Sequence, residues 1–69
     1  MSAGPTLNVV TLPPGARVQT RDGATAEIVE NPQDGFWLIC RYVAHPTQPQ
    51  LVGPDEHHVF AQDIVALAP

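Results

Sequence analysis

The side chains best equipped for chemistry are one thiol, Cys40, and three imidazoles, His45, His57 and His58. A cysteine acts as nucleophile or ligand only as thiolate, which needs a neighbouring cation or helix N-terminus. Strand alternation puts Cys40 on the face of Leu38 and Tyr42, with no cation beside it. It is therefore expected to be a buried, small apolar residue. The run Asp55-Glu56-His57-His58 sets two carboxylates beside two imidazoles, donors that zinc accepts. Successive side chains of a strand point to opposite faces, so His57 and His58 cannot share an ion without a bulge. His45 belongs to a different loop. The expectation is no metal and no cofactor, with one of the two adjacent histidines outward and the other half-buried.

The missing residue types narrow the chemistry further. There is no lysine, which removes Schiff-base catalysis and a phosphate-loop lysine. Serine occurs only at Ser2, which leaves little scope for a Ser-His-Asp site. The cations are Arg17, Arg21 and Arg41 against 7 carboxylates, for a net charge of −4. Nucleic-acid affinity comes from many phosphate contacts, so no nucleic-acid partner is expected. No catalytic residue is assigned.

A surface stands out instead. In the segment from Phe36 to Val43, one face carries Phe36, Leu38, Cys40 and Tyr42, the better core candidate. The other carries Trp37, Ile39, Arg41 and Val43. Exposed apolar stripes mark contact surfaces, and Trp and Arg are enriched at hot spots. Three things can cover this stripe: residues 7–12 folding over it, a second copy of the chain, or a ligand or partner. Trp37, Ile39, Arg41, Val43 and, on the following strand, His58 are the candidate binding residues. An aromatic cage for methyl-lysine would need about three convergent rings. Only Phe36, Trp37, Tyr42 and Phe60 exist, and at least two belong in the core.

These residues must be positioned by a small scaffold. The chain has 69 residues, 43% hydrophobic and 14% charged, enough for one domain. A chain this size buries only about 60% of its unfolded surface, and oligomerisation commonly supplements such a core. With 8 prolines and 5 glycines, no segment is long enough for a helix. No apolar run approaches the ~20 residues of a membrane span, and no basic-then-apolar leader opens the chain. A cytoplasmic protein without a membrane partner is expected. One cysteine excludes an internal disulfide.

Alternation marks the strands. Residues 16–21 and 24–30 flank Asp22-Gly23, a dipeptide that favours a two-residue type I′ hairpin. Residues 31–35, Asn-Pro-Gln-Asp-Gly, form a second turn. The apolar strand 36–43 follows, then a proline-rich loop at 45–50, with Leu51-Val52 as a short further extended piece. His57 to Phe60 is a strand, residues 61–64 one turn of 3₁₀ helix, and 65–67 a last strand. Residues 7–12 are expected to be extended. The fold class is all-β: a small barrel of four or five short antiparallel strands. Residues 1–14 form a flexible or extended segment, and 15–69 the barrel.

This order resembles the SH3-like barrels. The resemblance is carried by Gly15-Ala16-Arg17-Val18, Asp22-Gly23, Ala26-Glu27-Ile28, Trp37-Leu38-Ile39-Cys40-Arg41-Tyr42 and His58-Val59-Phe60 followed by Ala61-Gln62-Asp63-Ile64. It spans about residues 15–68 and implies a barrel with a helical turn before its last strand. Within that architecture the chain distantly resembles the plasmid-type (type II) dihydrofolate reductases. These are homotetramers with one active site in a central pore. Their Val-Gln-Ile-Tyr motif aligns here with His57-His58-Val59-Phe60, so His58 replaces the working glutamine and Phe60 the tyrosine. Their lysine has no counterpart. The comparison implies an oligomeric barrel, not reductase activity.

The expected function is a non-enzymatic module that self-associates as a dimer or tetramer. It offers a surface or inter-subunit cleft to a small molecule or protein. The alternatives are an oligomeric enzyme with a shared site, and an adaptor docking on a larger complex.

Overall fold

The computed structural model describes residues 9–68. Five strands form one antiparallel sheet: β1 (Arg17–Thr20), β2 (Thr25–Glu30), β3 (Trp37–Ala44), β4 (His57–Phe60) and β5 (Ile64–Leu67). The strand order is β4-β3-β2-β1-β5. Short 3₁₀ turns occupy Val9–Thr11, Pro49–Leu51 and Ala61–Asp63. The protein is all-β, as the alternation requires.

The β1–β2 hairpin shows how local chemistry sets register. Thr20 N–H donates to Ala24 O at 2.8 Å and Gly23 N–H to Thr20 O at 3.0 Å. Gly23 has φ of 90°, whereas Asp22 does not enter the positive region. The loop is thus Arg21-Asp22-Gly23, three residues with glycine in the left-handed position, rather than the expected two-residue type I′ turn. This length pairs Val18 with Ala26 and turns both inward, where each is fully buried.

Inward residues of all five strands meet in one cluster: Val18, Ala26, Ile28, Leu38, Cys40, Val59 and Ile64. A single sheet can bury one face against itself only by coiling, which the right-handed twist of strands favours. Bulges help: the ladder shifts between Ile28 and Glu30, and between Gln19 and Thr20. Each large side chain so buried contributes roughly 1.5–3 kcal/mol. The sheet is not closed into a barrel. The Ala61–Asp63 turn links β4 to β5, and among the described residues no ladder joins these two edges.

Three expectations are corrected. Phe36 is not in the core but 62% exposed. Asp34 Oδ1 accepts the N–H groups of Phe36 (2.8 Å) and Trp37 (3.1 Å), so the turn runs to Phe36 and the strand begins at Trp37. Leu51-Val52 does not open a strand: a 3₁₀ turn ends at Leu51, and Val52 makes only an isolated bridge to Tyr42. The N-terminal piece is a 3₁₀ turn over residues 9–11 rather than extended, and residues 7 and 8 lie outside the described residues. Val9 and Leu12 pack against the core cluster, so these residues cover the inner face of the sheet. Asn31 holds it there, its Nδ2 donating to Val9 O and Leu12 O, both at 2.9 Å.

Candidate functional site

The β3–β4 register sorts the outer face into rows. Trp37 lies opposite Phe60, and Ile39 opposite His58. Trp37 and Phe60 rings are 4.8 Å apart at 45°, and the His58 ring meets Trp37 edge-on at 6.4 Å and 87°. Such geometries add to simple area burial. Trp37 is nonetheless 44% exposed, and Phe36 beside it more so. Asp34, bonded to both their amides, fixes where the two rings leave the backbone. Those N–H groups hold its carboxyl below the ordinary carboxylate range.

The next row is charged. Arg41 lies opposite Glu27 and Glu27 opposite Arg17, with Arg17 Nε 4.0 Å from Glu27 Oε1. Val43 sits on the far side of this row. The structure therefore brings Trp37, Ile39 and His58 together and separates Arg41 and Val43 from them. Phe60 completes the patch. The sequence stripe could not include Phe60, because membership depends on a cross-strand register that one strand's alternation does not contain.

Beside this patch runs a cleft of about 460 Å³. It is lined by Arg21 and Asp22 of the hairpin loop, Trp37 and Tyr42 of β3, His58 and Phe60 of β4, and Asp63. Its lining includes β4, whose outer edge is paired with no other strand among the described residues. Ala61 N–H donates to Phe36 O at 2.7 Å, which fixes the phase of the antiparallel ladder. Counting back from Ala61, Val59 and His57 direct their backbone groups to β3. His58 and Phe60 direct theirs to the open edge. At the end of this edge Arg21 is held by Gln62 O (2.9 Å) and by Asp63 Oδ1, 3.7 Å from its Nε.

The titratable residues behind the cleft are committed to structure. His45 is buried, its side chain 2% exposed, with Nε2 3.2 Å from Asp22 Oδ2. Its Nδ1 accepts N–H groups from Thr47 (3.3 Å) and Gln48 (3.1 Å), so the ring proton sits on Nε2 and is donated to Asp22. Both nitrogens are used, and the imidazole pins the 45–50 loop to the β1–β2 hairpin. Asp22 also accepts the Thr20 hydroxyl, the main cause of its lowered pKa, with His45 contributing less. Burial pushes the Cys40 thiol up to about 11, so it is protonated and unreactive at neutral pH. Tyr42 is raised too, chiefly by desolvation and then by the Asp22 charge.

His57 faces inward, its ring 5.3 Å from Tyr42, and its buried Nε2 has no hydrogen-bond partner among the described residues. His58 is the exposed member of the pair. Among the described residues no three His, Cys, Asp or Glu side chains converge as metal ligands, and no helix is long and apolar enough to cross a membrane. Among the described residues the site thus combines an aromatic patch, a strand edge without a ladder partner and an ion-paired rim. No protein-family model, curated protein or solved structure matches the chain.

Proposed function

We propose that this protein is a small β-sheet binding module that self-associates through the Trp37 patch and presents the cleft along β4 to a small molecule at the subunit boundary. The carrying observation is the cluster of Trp37, Ile39, His58 and Phe60 on a face that no other described element covers. Trp37 is 44% exposed and Ile39 and Phe60 are half-buried, so covering what remains of them in two copies would contribute on the order of 4–7 kcal/mol, well under the roughly 1.5–3 kcal/mol each of full burial. Association costs about 4–15 kcal/mol in lost freedom, so the patch supports a dimer of modest affinity. The meander from β1 to β4, the 3₁₀ turn and the return of β5 to β1 support the SH3-like comparison. An oligomeric enzyme of the type II reductase kind is less well supported. His45 is occupied at both nitrogens, the Cys40 thiol is protonated, and Asp22, Asp63 and Arg21 of the cleft are engaged in bonds and ion pairs within the fold.

Sedimentation equilibrium at micromolar concentration tests this reading. Wild-type protein should run above the 7.4 kDa chain mass. Trp37→Asp should shift it to monomer, because association would then desolvate an unpaired carboxylate. A wild-type monomer would refute self-association and favour an adaptor whose Trp37 face meets another protein.

A further inference from the structure

Resting on the part of that reading that gives the cleft to a small molecule, we infer that its ligand is an organic monocation. The ligand is a protonated amine on a flat apolar body, with the amine at Asp22 and the body against the Trp37 and Phe60 rings. The lining is the first argument. Three of the four Phe, Trp and Tyr rings, those of Trp37, Tyr42 and Phe60, border the same cleft of about 460 Å³. None of them belongs to the buried core cluster, although Tyr42 packs against it. Pockets for small ligands run from about 300 to 1,000 Å³ and are mostly aromatic or apolar, with a few placed polar groups. Aromatic faces are negative and attract cations, an amine or a guanidinium above all.

The charged groups decide the sign of the ligand. Among Asp, Glu, Lys and Arg, the residues lining the cleft are Arg21, Asp22 and Asp63. Arg21 is already used: its Nη2 donates to Gln62 O at 2.9 Å, and its Nε lies 3.7 Å from Asp63 Oδ1. That pair balances to zero. Asp22 has no cation of its own. Its Oδ1 accepts the Thr20 hydroxyl, and its Oδ2 accepts His45 Nε2–H at 3.2 Å. His45 donates as a neutral ring, because its Nδ1 accepts the Thr47 and Gln48 N–H groups.

Both partners of Asp22 therefore orient the carboxylate and leave its charge in place. The Thr20 hydroxyl holds it below the ordinary carboxylate range, and its charge is felt at Tyr42. The Asp22 side chain is 58% exposed, and each oxygen has a further lone pair for a ligand N–H. An anion would have to displace Asp63 from Arg21 and approach a chain of net charge −4. Trp37, His58 and Phe60 belong to both the patch and the cleft, so their contacts serve self-association too. Asp22 serves the cleft alone, which makes it the group that selects the ligand.

Titrating the fluorescence of Trp37, the chain's one tryptophan, with benzylammonium, benzyl alcohol and benzoate tests this. At about pH 8, above the usual histidine range, benzylammonium should bind about three- to thirtyfold tighter than benzyl alcohol. That is the range for one exposed ion pair and one cation–π contact. Benzoate should bind most weakly. Asp22→Asn should remove about two- to fivefold of the preference. Raising salt from about 20 to about 500 mM should reduce it in the wild type without any substitution, and leave the alcohol unchanged. Benzoate binding as tightly as benzylammonium would overturn the cationic ligand and leave the cleft standing as a small-molecule site. A preference that neither salt nor Asp22→Asn reduces would overturn the role of Asp22. Saturation by none of the three would overturn both the inference and the small-molecule reading. A wild type that runs as monomer yet prefers benzylammonium would support the inference and refute self-association alone.

Discussion

Replacing Asn31 tests whether one amide holds the N-terminal piece on the core. Its Nδ2 donates to Val9 O and Leu12 O at 2.9 Å each and more weakly to Val10 O at 3.3 Å, while its Oδ1 accepts Gln33 N–H at 2.9 Å. Taking three good bonds at about 0.5–1.5 kcal/mol each, and the low half of that range because the site is partly exposed, gives roughly 1.5–3 kcal/mol for Asn31→Ala. Freed from the clamp, Val9 and Leu12 would also uncover part of the cluster they pack against. A domain of this size has only about 3–5 kcal/mol to lose. At about 4–8 °C per kcal/mol, the thermal midpoint should fall by roughly 6–24 °C. Urea unfolding separates the effects, since a loss of Cm with unchanged m is a loss of stability alone. Asn31→Asp is the informative control. It keeps the acceptor for Gln33 but faces a carboxylate towards three carbonyl oxygens, so it should be no more stable than the alanine variant. An Asn31→Asp protein with the wild-type midpoint would refute the clamp.

Other outcomes follow from the buried and capping groups. Cys40 should resist thiol reagents in the native protein and react at once in denaturant. Raising the pH to about 9 should accelerate native labelling little, because the thiol sits near 11; rapid labelling at neutral pH would show the core open. Asp22 and Asp34 both lie below their ordinary value of 3.8. Depressed carboxylates contribute stability that is present above that value and lost as pH falls through their folded values. Urea midpoints should therefore decline on acidification below about pH 4, and less steeply in Asp34→Asn. An equally steep decline in that variant would remove Asp34 from the account.

The strands and the core were legible because alternation is a short-range signal. Val18, Ala26, Ile28, Leu38 and Cys40 turned inward as their phase required. The 3₁₀ turn after Phe60 formed where the sequence placed it, over Ala61–Asp63. The departures arose where a side chain bonded to backbone across a distance or around a turn. Asp34 moved Phe36 out of the strand, Asn31 drew the N-terminal piece to the core face, and His45 became a loop pin through Asp22. The site was half legible for a related reason. Its β3 members follow from alternation, but the row that joins Trp37 to Phe60, and the charged row that isolates Arg41 and Val43, depend on register between strands.

The strand order carries a consequence for the timing of folding. From β1 to β4 every neighbour in the sheet is also a neighbour in the chain, so the meander can zip by successive hairpins. Strand β5 is different: it pairs with β1, the most distant strand in the chain, setting Val18 opposite Leu67. Contacts of such separation are slow to form, because loop-closure entropy is lost before they contribute. A growing chain must therefore carry β1 with one side uncovered until residues 64–67 have been made. The nascent four-stranded meander exposes two sticky margins at that stage, and a single late strand removes one of them. Closure of the sheet by β5 is thus the pairing with the largest loop to fix, and point changes that weaken the β1–β5 ladder should slow completion of the sheet more than equal changes in β2.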